Sequence, residues 1–178
     1  MSVYSDQIRQ AVRTIADWPK PGIQFSDITP LMHDPKIFRM LIDSFVHRYQ
    51  GQDLQGIAAL DARGFLIGAP LAYALGLSLV PVRKHGKLPY ETITQSYDLE
   101  YGSATIELHT DAFKAGDKVL VIDDLIATGG TMLAACELIK QLGAEVVECA
   151  AIIDLPALGG SKKIKDAGFS IYSICDFD

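Results

Sequence analysis

The sequence predicts an α/β fold, with an open, mainly parallel twisted sheet covered by helices on both faces. Short apolar runs rich in β-branched residues recur along the chain, helical apolar stripes alternate with them, and several runs end in charged or small residues. Alternation of strands and helices is typical of parallel sheets with right-handed crossovers. At 178 residues the chain is long enough for one compact domain with a sizeable core.

Composition favours a globular protein of the cytoplasm that binds neither membrane nor nucleic acid. Hydrophobic residues make up 49% of the chain and charged residues 21%, which is ordinary for globular proteins. No apolar run is long enough to cross a bilayer, and the polar N-terminus lacks a signal-peptide apolar region. The net charge of −6 disfavours broad nucleic-acid binding. The three widely spaced cysteines are typical of a reducing compartment.

The N-terminal residues predict a helix and then a small appendage to the sheet. An apolar stripe at helical spacing predicts the helix, and its members are Ile8, Ala11, Val12, Ile15 and Ala16. Residues 18–30 hold three prolines and are predicted to be extended rather than a core strand. Phe25 lies among polar residues there, and its local sequence favours an apolar plug at the edge of the domain.

The middle of the chain predicts the first strand–helix units. An aspartate followed by a proline is a strong helix start, and the helix covers residues 34–49. Buried strands are predicted at 56–60, before an apolar helix, and at 79–82. Residues 92–102 are polar without an apolar period, which predicts a surface loop or mobile hairpin with a returning strand at 104–108.

Residues 118–132 are the stretch around which the remaining units are organised. A strand at 119–122 ends in Asp123 and Asp124, and small residues then open a helix at 132–142. A strand followed by a tight small-residue loop and a helix N-terminus is suited to holding a phosphate. Ligands of open α/β sheets bind at this carboxyl edge. A strand at 146–153, a short helix and a last strand complete the predicted fold.

The small-residue loop, residues 127–131, predicts a phosphate site of a particular kind. Its glycines let the backbone approach an anion, and its threonines add hydroxyl donors. It lacks the lysine of a nucleoside-triphosphatase loop and the spacing of a dinucleotide-binding loop. An isolated Asp-Asp pair would most simply cap a turn or face solvent. After a buried strand and before this loop, Asp123 and Asp124 predict hydroxyl binding.

A second anion site is predicted from basic residues that follow other strands. Its members are Arg63, Arg83, Lys84 and Lys87. In a parallel sheet the carboxyl ends of these strands lie at the same edge. The guanidinium group of arginine can bind two phosphate oxygens at once. Taken alone, any one of these residues would most simply be a surface charge in contact with solvent. Together they favour a ligand with phosphate on both sides of a sugar.

Five segments resemble a known family, in order and at matching spacings. They are PKPGIQFSDITPL, ALDARGFLIGAPLA, PVRKHGKLP, YDLEYG and VLVIDDLIATGGT. The last is similar to the phosphoribosyl-pyrophosphate (PRPP) motif of the type I phosphoribosyltransferases. The RKHGKLP and LEYG segments resemble the adenine-specific members. The resemblance implies the type I phosphoribosyltransferase fold, with a base-covering hood over residues 1–33 and a PRPP-binding core over 34–178.

The resemblance also implies a reaction and its participants. These are adenine and PRPP giving AMP and pyrophosphate in purine salvage, with Mg²⁺ held mainly through the substrate rather than in a protein cage, in a homodimer. It implies a cis peptide between Asp61 and Ala62. Ribose and 5′-phosphate would be bound by Asp123, Asp124, Ala127, Thr128, Gly129, Gly130 and Thr131. Pyrophosphate would be bound by Arg63, Arg83, Lys84 and Lys87, adenine by Phe25 and Leu155, with Glu100 as general acid/base.

Two departures from the family pattern leave alternatives open. Ser26 stands where a basic residue often follows the stacking phenylalanine, and Gln24 replaces a usual apolar residue. A transferase for hypoxanthine, guanine or xanthine is therefore the first alternative. A non-catalytic PRPP-sensing regulator is the second, although the acidic charge and the YDLEYG segment argue against it. A nucleotide hydrolase is the third, and it lacks a candidate water-activating base.

Overall fold

A computed structural model describes residues 4–98 and 102–177. Its first elements are helix α1 (Ser5–Ala11), strands β1 (Arg13–Ala16) and β2 (Gln24–Asp27), and helix α2 (Thr29–His33). The prediction that the first helix includes residues 12–16 is wrong, because β1 pairs with β2 in an antiparallel ribbon. The β-branched pair Thr14 and Ile15 suits a strand better than a helix.

The remaining elements alternate strand and helix as expected, apart from one hairpin. They are α3 (Pro35–Tyr49), β3 (Gly56–Leu60), α4 (Gly64–Leu75), β4 (Ser78–Lys84), β5 (Thr92–Asp98), β6 (Ser103–His109), β7 (Lys118–Ile126), α5 (Gly130–Gln141), β8 (Glu145–Asp154), a 3₁₀ turn (Pro156–Leu158), α6 (Gly160–Asp166) and β9 (Ile171–Asp176). The aspartate predicted to start α3 does so, because Asp34 Oδ1 accepts the N–H groups of Lys36 and Ile37 at 2.8 and 3.2 Å.

Seven strands form the main sheet in the order β5-β6-β4-β3-β7-β8-β9. Strands β4, β3, β7, β8 and β9 are parallel to one another, which confirms the predicted fold class. The polar stretch after β4 forms the antiparallel β5–β6 hairpin. This hairpin joins β4 through the pairs Arg83 with Glu107 and Lys84 with Ile106, and the N–H of His85 donates to the carbonyl of Thr105 at 3.0 Å just beyond them.

The core lies on both faces of this sheet. Along β3, Ile57 and Ala59 belong to the cluster beneath α3 and α4, whereas Ala58 and Leu60 belong to the cluster beneath α5. Burial on both faces explains why the parallel strands are near-continuous apolar runs. The N-terminal elements pack on the face covered by α3 and α4, through residues such as Ile8 and Leu31. No helix within the described ranges is long and apolar enough to span a membrane.

Candidate active site

An open cleft lies at the carboxyl edge of the sheet, where β7 ends. It is lined by Asp123, Leu125, Ile126, Ala127, Thr128, Gly129, Gly130, Thr131 and Met132. The sequence-predicted phosphate loop and both acidic residues are therefore in or beside one cleft. The loop leads directly into α5, whose first-turn N–H groups have no partner within the helix. The dipole of that helix favours an anion at this end.

The backbone of the phosphate loop packs against the start of α6. Gly129 has a φ of +76°, and a Cβ added there would lie 2.9 Å from the carbonyl oxygen of Gly160. Gly160 in turn donates its N–H to the carbonyl of Ala127 at 3.0 Å. Only glycine satisfies both the left-handed conformation and the close backbone contact at position 129. Backbone packing against the start of α6 therefore restricts the shape of the loop.

The β5–β6 hairpin touches this loop through Tyr97. The hydroxyl of Thr131 donates a hydrogen bond to Tyr97 Oη at 3.0 Å, and the Tyr97 ring lies against the Cα of Gly130, where a Cβ would come within 3.0 Å of it. Sequence reasoning placed no role on Tyr97. Because its partner lies 34 residues away, no local pattern could have indicated the contact.

Asp123 and Asp124 differ in what surrounds them. The N–H of Asp124 donates to Asp123 Oδ1 at 2.8 Å, and Asp124 is only 3% exposed. Burial, followed by the negative charge of Asp124, raises the pKa of Asp123 well above its ordinary 3.8. Burial also raises the pKa of Asp124, although the Arg63 charge opposes the rise. Hydroxyl donors or a cation from a ligand would favour the ionised forms of both.

Arg63 connects the acidic residues to the N-terminal segment. Its Nε lies 2.8 Å from Asp124 Oδ2, and its guanidinium carbon lies 5.5 Å from the centre of the Phe25 ring. Trp18 packs edge-on against Phe25 with ring centres 4.3 Å apart. The Asp61–Ala62 peptide just before Arg63 is cis, as expected. The structure thus brings together three predicted site residues, Asp124, Arg63 and Phe25.

The basic residues at the end of β4 and in the turn that follows it are held by two carboxylates. Asp61 Oδ2 lies 3.2 Å from Arg83 Nε and accepts the Lys84 N–H at 3.4 Å. Glu107 Oε1 accepts the N–H groups of Lys87 and Leu88 at 2.8 and 2.7 Å. Glu107 was not singled out in the sequence. The sequence signal that could have identified Glu107 is its position between two apolar residues of a predicted strand.

Two predicted residues are placed less directly. Leu155 follows β8, and its N–H donates to the carbonyl of Ile126 at 3.0 Å, which ties it to the strand that leads into the phosphate loop. Its position opposite Phe25 across a base stays a prediction. Glu100 lies outside the described residues, between β5 and β6, so its role also stays a prediction.

Comparison with other proteins agrees with this geometry. Residues 39–175 match the model of the phosphoribosyl transferase domain. The adenine phosphoribosyltransferase of Chromohalobacter salexigens is 62% identical over 99% of this chain and 98% of its own. That of Marinobacter nauticus is 59% identical over 100% of this chain and 99% of its own.

The chain belongs to the adenine phosphoribosyltransferase family. Among solved members, the Thermoanaerobacter pseudethanolicus enzyme superposes with a TM-score of 0.93 at 45% identity, covering 97% of this chain and 99% of that one. The Saccharomyces cerevisiae enzyme, whose crystals contain an imino-altritol bisphosphate and adenine, gives 0.90 at 37% identity, covering 96% of this chain and 98% of that one. The expectations of an adenine phosphoribosyltransferase and of a type I fold are confirmed.

Proposed function

We propose that this enzyme transfers the phosphoribosyl group of PRPP to N9 of adenine, giving AMP and pyrophosphate, with the residues of the cleft in the following roles. The observation that carries the proposal is the single group formed by the phosphate loop, Asp124, Arg63 and Phe25. Arg63 touches Asp124 on one side and Phe25 on the other. A ribose between an anion site and an aromatic face would expose its C1 to both the leaving group and the base.

At the sugar end, residues 127–131 hold the 5′-phosphate through backbone N–H groups, and Asp123 and Asp124 accept bonds from the ribose hydroxyls. Arg63, Arg83, Lys84 and Lys87 bind the pyrophosphate and stabilise its charge as the C1–O bond breaks. The N9–C1 bond forms as that bond breaks, with positive charge building on the sugar ring. In the homodimer we assign the Lys87 side chain to the pyrophosphate site of the partner subunit.

At the base end, Phe25 and Leu155 sandwich adenine, and Glu100 accepts the proton that the purine gives up near N7 as the N9–C1 bond forms. The Ser26 departure does not weaken this assignment, because residues 25 and 26 of β2 face opposite ways. Ser26 is buried, whereas Phe25 is partly exposed beside Arg63. Base selection would therefore rest on other groups than the Ser26 side chain. The hood over residues 1–33 supplies Phe25, and the core over 34–178 supplies the rest.

Mg²⁺ fits this site as an ion carried mainly by the substrate. Within residues 4–98 and 102–177, no group of three or more His, Cys, Asp and Glu side chains could hold a metal. Asp124 Oδ2 is buried and lies 2.8 Å from Arg63 Nε. One or two carboxylates plus phosphate oxygens are a usual set for Mg²⁺. When bound, the ion neutralises charge on the pyrophosphate.

A homodimer is supported by an exposed apolar face on α4 and β4. Tyr73 is 90% exposed, Leu66 50% and Leu79 40%, and residues seven apart on a helix share a face. Large exposed apolar patches mark interfaces, and the family resemblance implies a second copy of the chain as the occupant. Sedimentation should give a dimer, and Tyr73→Glu should shift it toward monomer. A monomeric wild type would contradict this.

The cytoplasm is the compartment that fits these features. Cys136, Cys149 and Cys175 are free and buried, as in proteins of reducing compartments. The acidic net charge of −6 gives no general attraction to nucleic acid.

The direct test is incubation with PRPP, Mg²⁺ and an equimolar mixture of adenine, hypoxanthine, guanine and xanthine. AMP should be the main nucleotide formed. IMP, GMP or XMP as the main product would favour a transferase for another base, and no nucleotide at all would favour a PRPP sensor.

The general acid/base assignment needs its own variant. Glu100→Gln should lower kcat by about 10²–10⁴-fold while leaving PRPP binding, measured by calorimetry, close to that of the wild type. Glu91→Gln, on the same hairpin segment and exposed, is the matched control and should keep its kcat. A near-normal kcat in Glu100→Gln would remove Glu100 from the mechanism.

A further inference from the structure

Glu107 is a buried carboxylate that the roles above do not use. It lies on β6 directly opposite Arg83 of β4, and only 2% of its surface is exposed. Buried carboxylates are rare unless donors or cations satisfy them. The groups that satisfy this one all belong to the turn that follows β4.

Both oxygens of Glu107 are used by that turn. Oε1 accepts the N–H groups of Lys87 and Leu88, and Oε2 lies 3.1 Å from Nδ1 of His85. Burial alone would raise the pKa of Glu107. The amide groups of Gly86, Leu88 and Lys87 and the charge of His85 outweigh burial and hold the pKa below its ordinary value. The carboxylate is therefore ionised when the turn is formed.

The turn needs such an anion because it concentrates positive charge. Arg83, Lys84 and Lys87 lie within five residues, and like charges this close repel one another. Gly86 takes a φ of +81°, so the chain reverses between the two lysines. A carboxylate beneath the turn offsets the repulsion and fixes the direction of the reversal through two backbone bonds.

We propose that Glu107 is a positioning residue for the leaving pyrophosphate, holding the turn from Lys84 to Lys87 in the shape that presents its cations and fixing His85 through Nδ1. Nδ1 of His85 faces the carboxylate, so Nε2 is the ring nitrogen left for an anion, and the His85 side chain is 66% exposed. This proposal rests on the assignment of the basic turn to pyrophosphate. It adds a residue that acts on the ligand only through the turn.

A structural role alone is the competing explanation, and Glu148 provides the control for it. Glu148 is also a buried glutamate on a strand of the same sheet. It accepts bonds from Arg48 and Tyr49 on α3, remote from the basic turn. Glu148→Gln should lower the thermal unfolding midpoint and leave the KM for PRPP unchanged. A Glu107 variant with only a structural defect would behave in the same way.

The experiment compares Glu107→Ala, Glu107→Gln and Glu148→Gln by steady-state kinetics and by calorimetry with inorganic pyrophosphate. Glu107→Ala should raise the KM for PRPP by about tenfold or more, because charge-assisted bonds that shape the turn are lost. Glu107→Gln should raise it less, since its amide oxygen can still accept the two N–H groups. In both, pyrophosphate affinity should fall in parallel, while the KM for adenine stays within about twofold.

The outcomes separate this proposal from the proposed function. A wild-type protein that forms no AMP would overturn the proposed function. A wild type that forms AMP, with Glu107 variants whose KM for PRPP and pyrophosphate affinity match the wild type, would overturn the positioning role alone. An equal rise in both KM values would also overturn it. Where Glu107→Ala does not fold, Glu107→Gln decides the matter.

Discussion

Replacing Gly129 by alanine tests whether the phosphate loop is shaped by backbone packing. Two costs are expected, and they have different origins. The φ of +76° costs a non-glycine residue about 1–2 kcal/mol. The added Cβ would lie 2.9 Å from the carbonyl oxygen of Gly160, and overpacking of that kind costs about 1–3 kcal/mol. Together they predict a loss of about 2–5 kcal/mol in the free energy of unfolding.

Gly51→Ala is the matched control because it carries only the first cost. Gly51 has a φ of +80°, and nothing lies within 4 Å of where its Cβ would stand. Urea unfolding of both variants gives the difference directly. Gly129→Ala should lose about 1–3 kcal/mol more than Gly51→Ala, and its KM for PRPP should rise while that of Gly51→Ala does not. Equal losses of unfolding free energy in the two variants would refute the packing argument.

Three further outcomes are expected. Tyr97→Phe should lose about 0.5–1.5 kcal/mol of unfolding free energy without a rise in the KM for PRPP, because the Thr131 hydroxyl is freed for phosphate. The pKa of Asp123 is raised in the folded state, so the protein loses stability as the pH rises through that folded-state pKa. Asp123→Asn removes this loss and should unfold at a higher temperature near neutral pH, while it binds PRPP about tenfold more weakly. The pKa of Glu107 is lowered from 4.5 in the folded state. Its carboxylate therefore contributes fully to the free energy of unfolding above pH 4.5, and the contribution is lost as the pH falls through the folded-state pKa. Urea unfolding of Glu107→Gln should show a smaller loss of stability at acid pH.

The parallel core was predictable because burial on both faces leaves a visible mark in the sequence. Strand β3 is buried at all five positions, and its predicted range, 56–60, agrees with the structure. A strand of that kind excludes polar residues, so apolar runs and their charged ends can be read directly.

The N-terminal ribbon was not predictable in the same way. Residues 12–16 fit a helical stripe, yet Ile15 pairs with Phe25 across the β1–β2 ribbon. The partner strand begins only after a turn with two prolines, so no local period identifies the pairing. The apolar stripe predicted a helix, whereas the β-branched residues and the pairing with β2 favour the strand that forms.

The sequence identified site residues near the ends of predicted strands, but it did not identify Glu107, which holds the basic turn in place. Arg63 follows β3, and Asp124 follows the predicted strand at 119–122, although β7 itself continues to Ile126. The structure brings the two side chains to 2.8 Å. Glu107 lies between Ile106 and Leu108, and all three are buried. Alternation in a strand would place Glu107 on a solvent face. Its donors are the N–H groups of Lys87 and Leu88, which belong to the turn after β4 and not to its own strand.

The β5–β6 hairpin contacts both anion sites, which has a consequence for how they respond to a bound ligand. Two residue pairs with β4 form its ladder to the sheet, and the Tyr97–Thr131 bond ties it to the phosphate loop. The hydroxyl of Thr131 has one proton, and Tyr97 and a bound phosphate compete for it. The Tyr97 hydroxyl carries a proton of its own and can donate to Thr131 instead, so the hairpin stays joined to the loop when a phosphate is bound. A phosphate in the loop would thus reverse the direction of the Tyr97–Thr131 bond, and the hairpin that places Glu107 beneath the basic turn would stay joined to both anion sites.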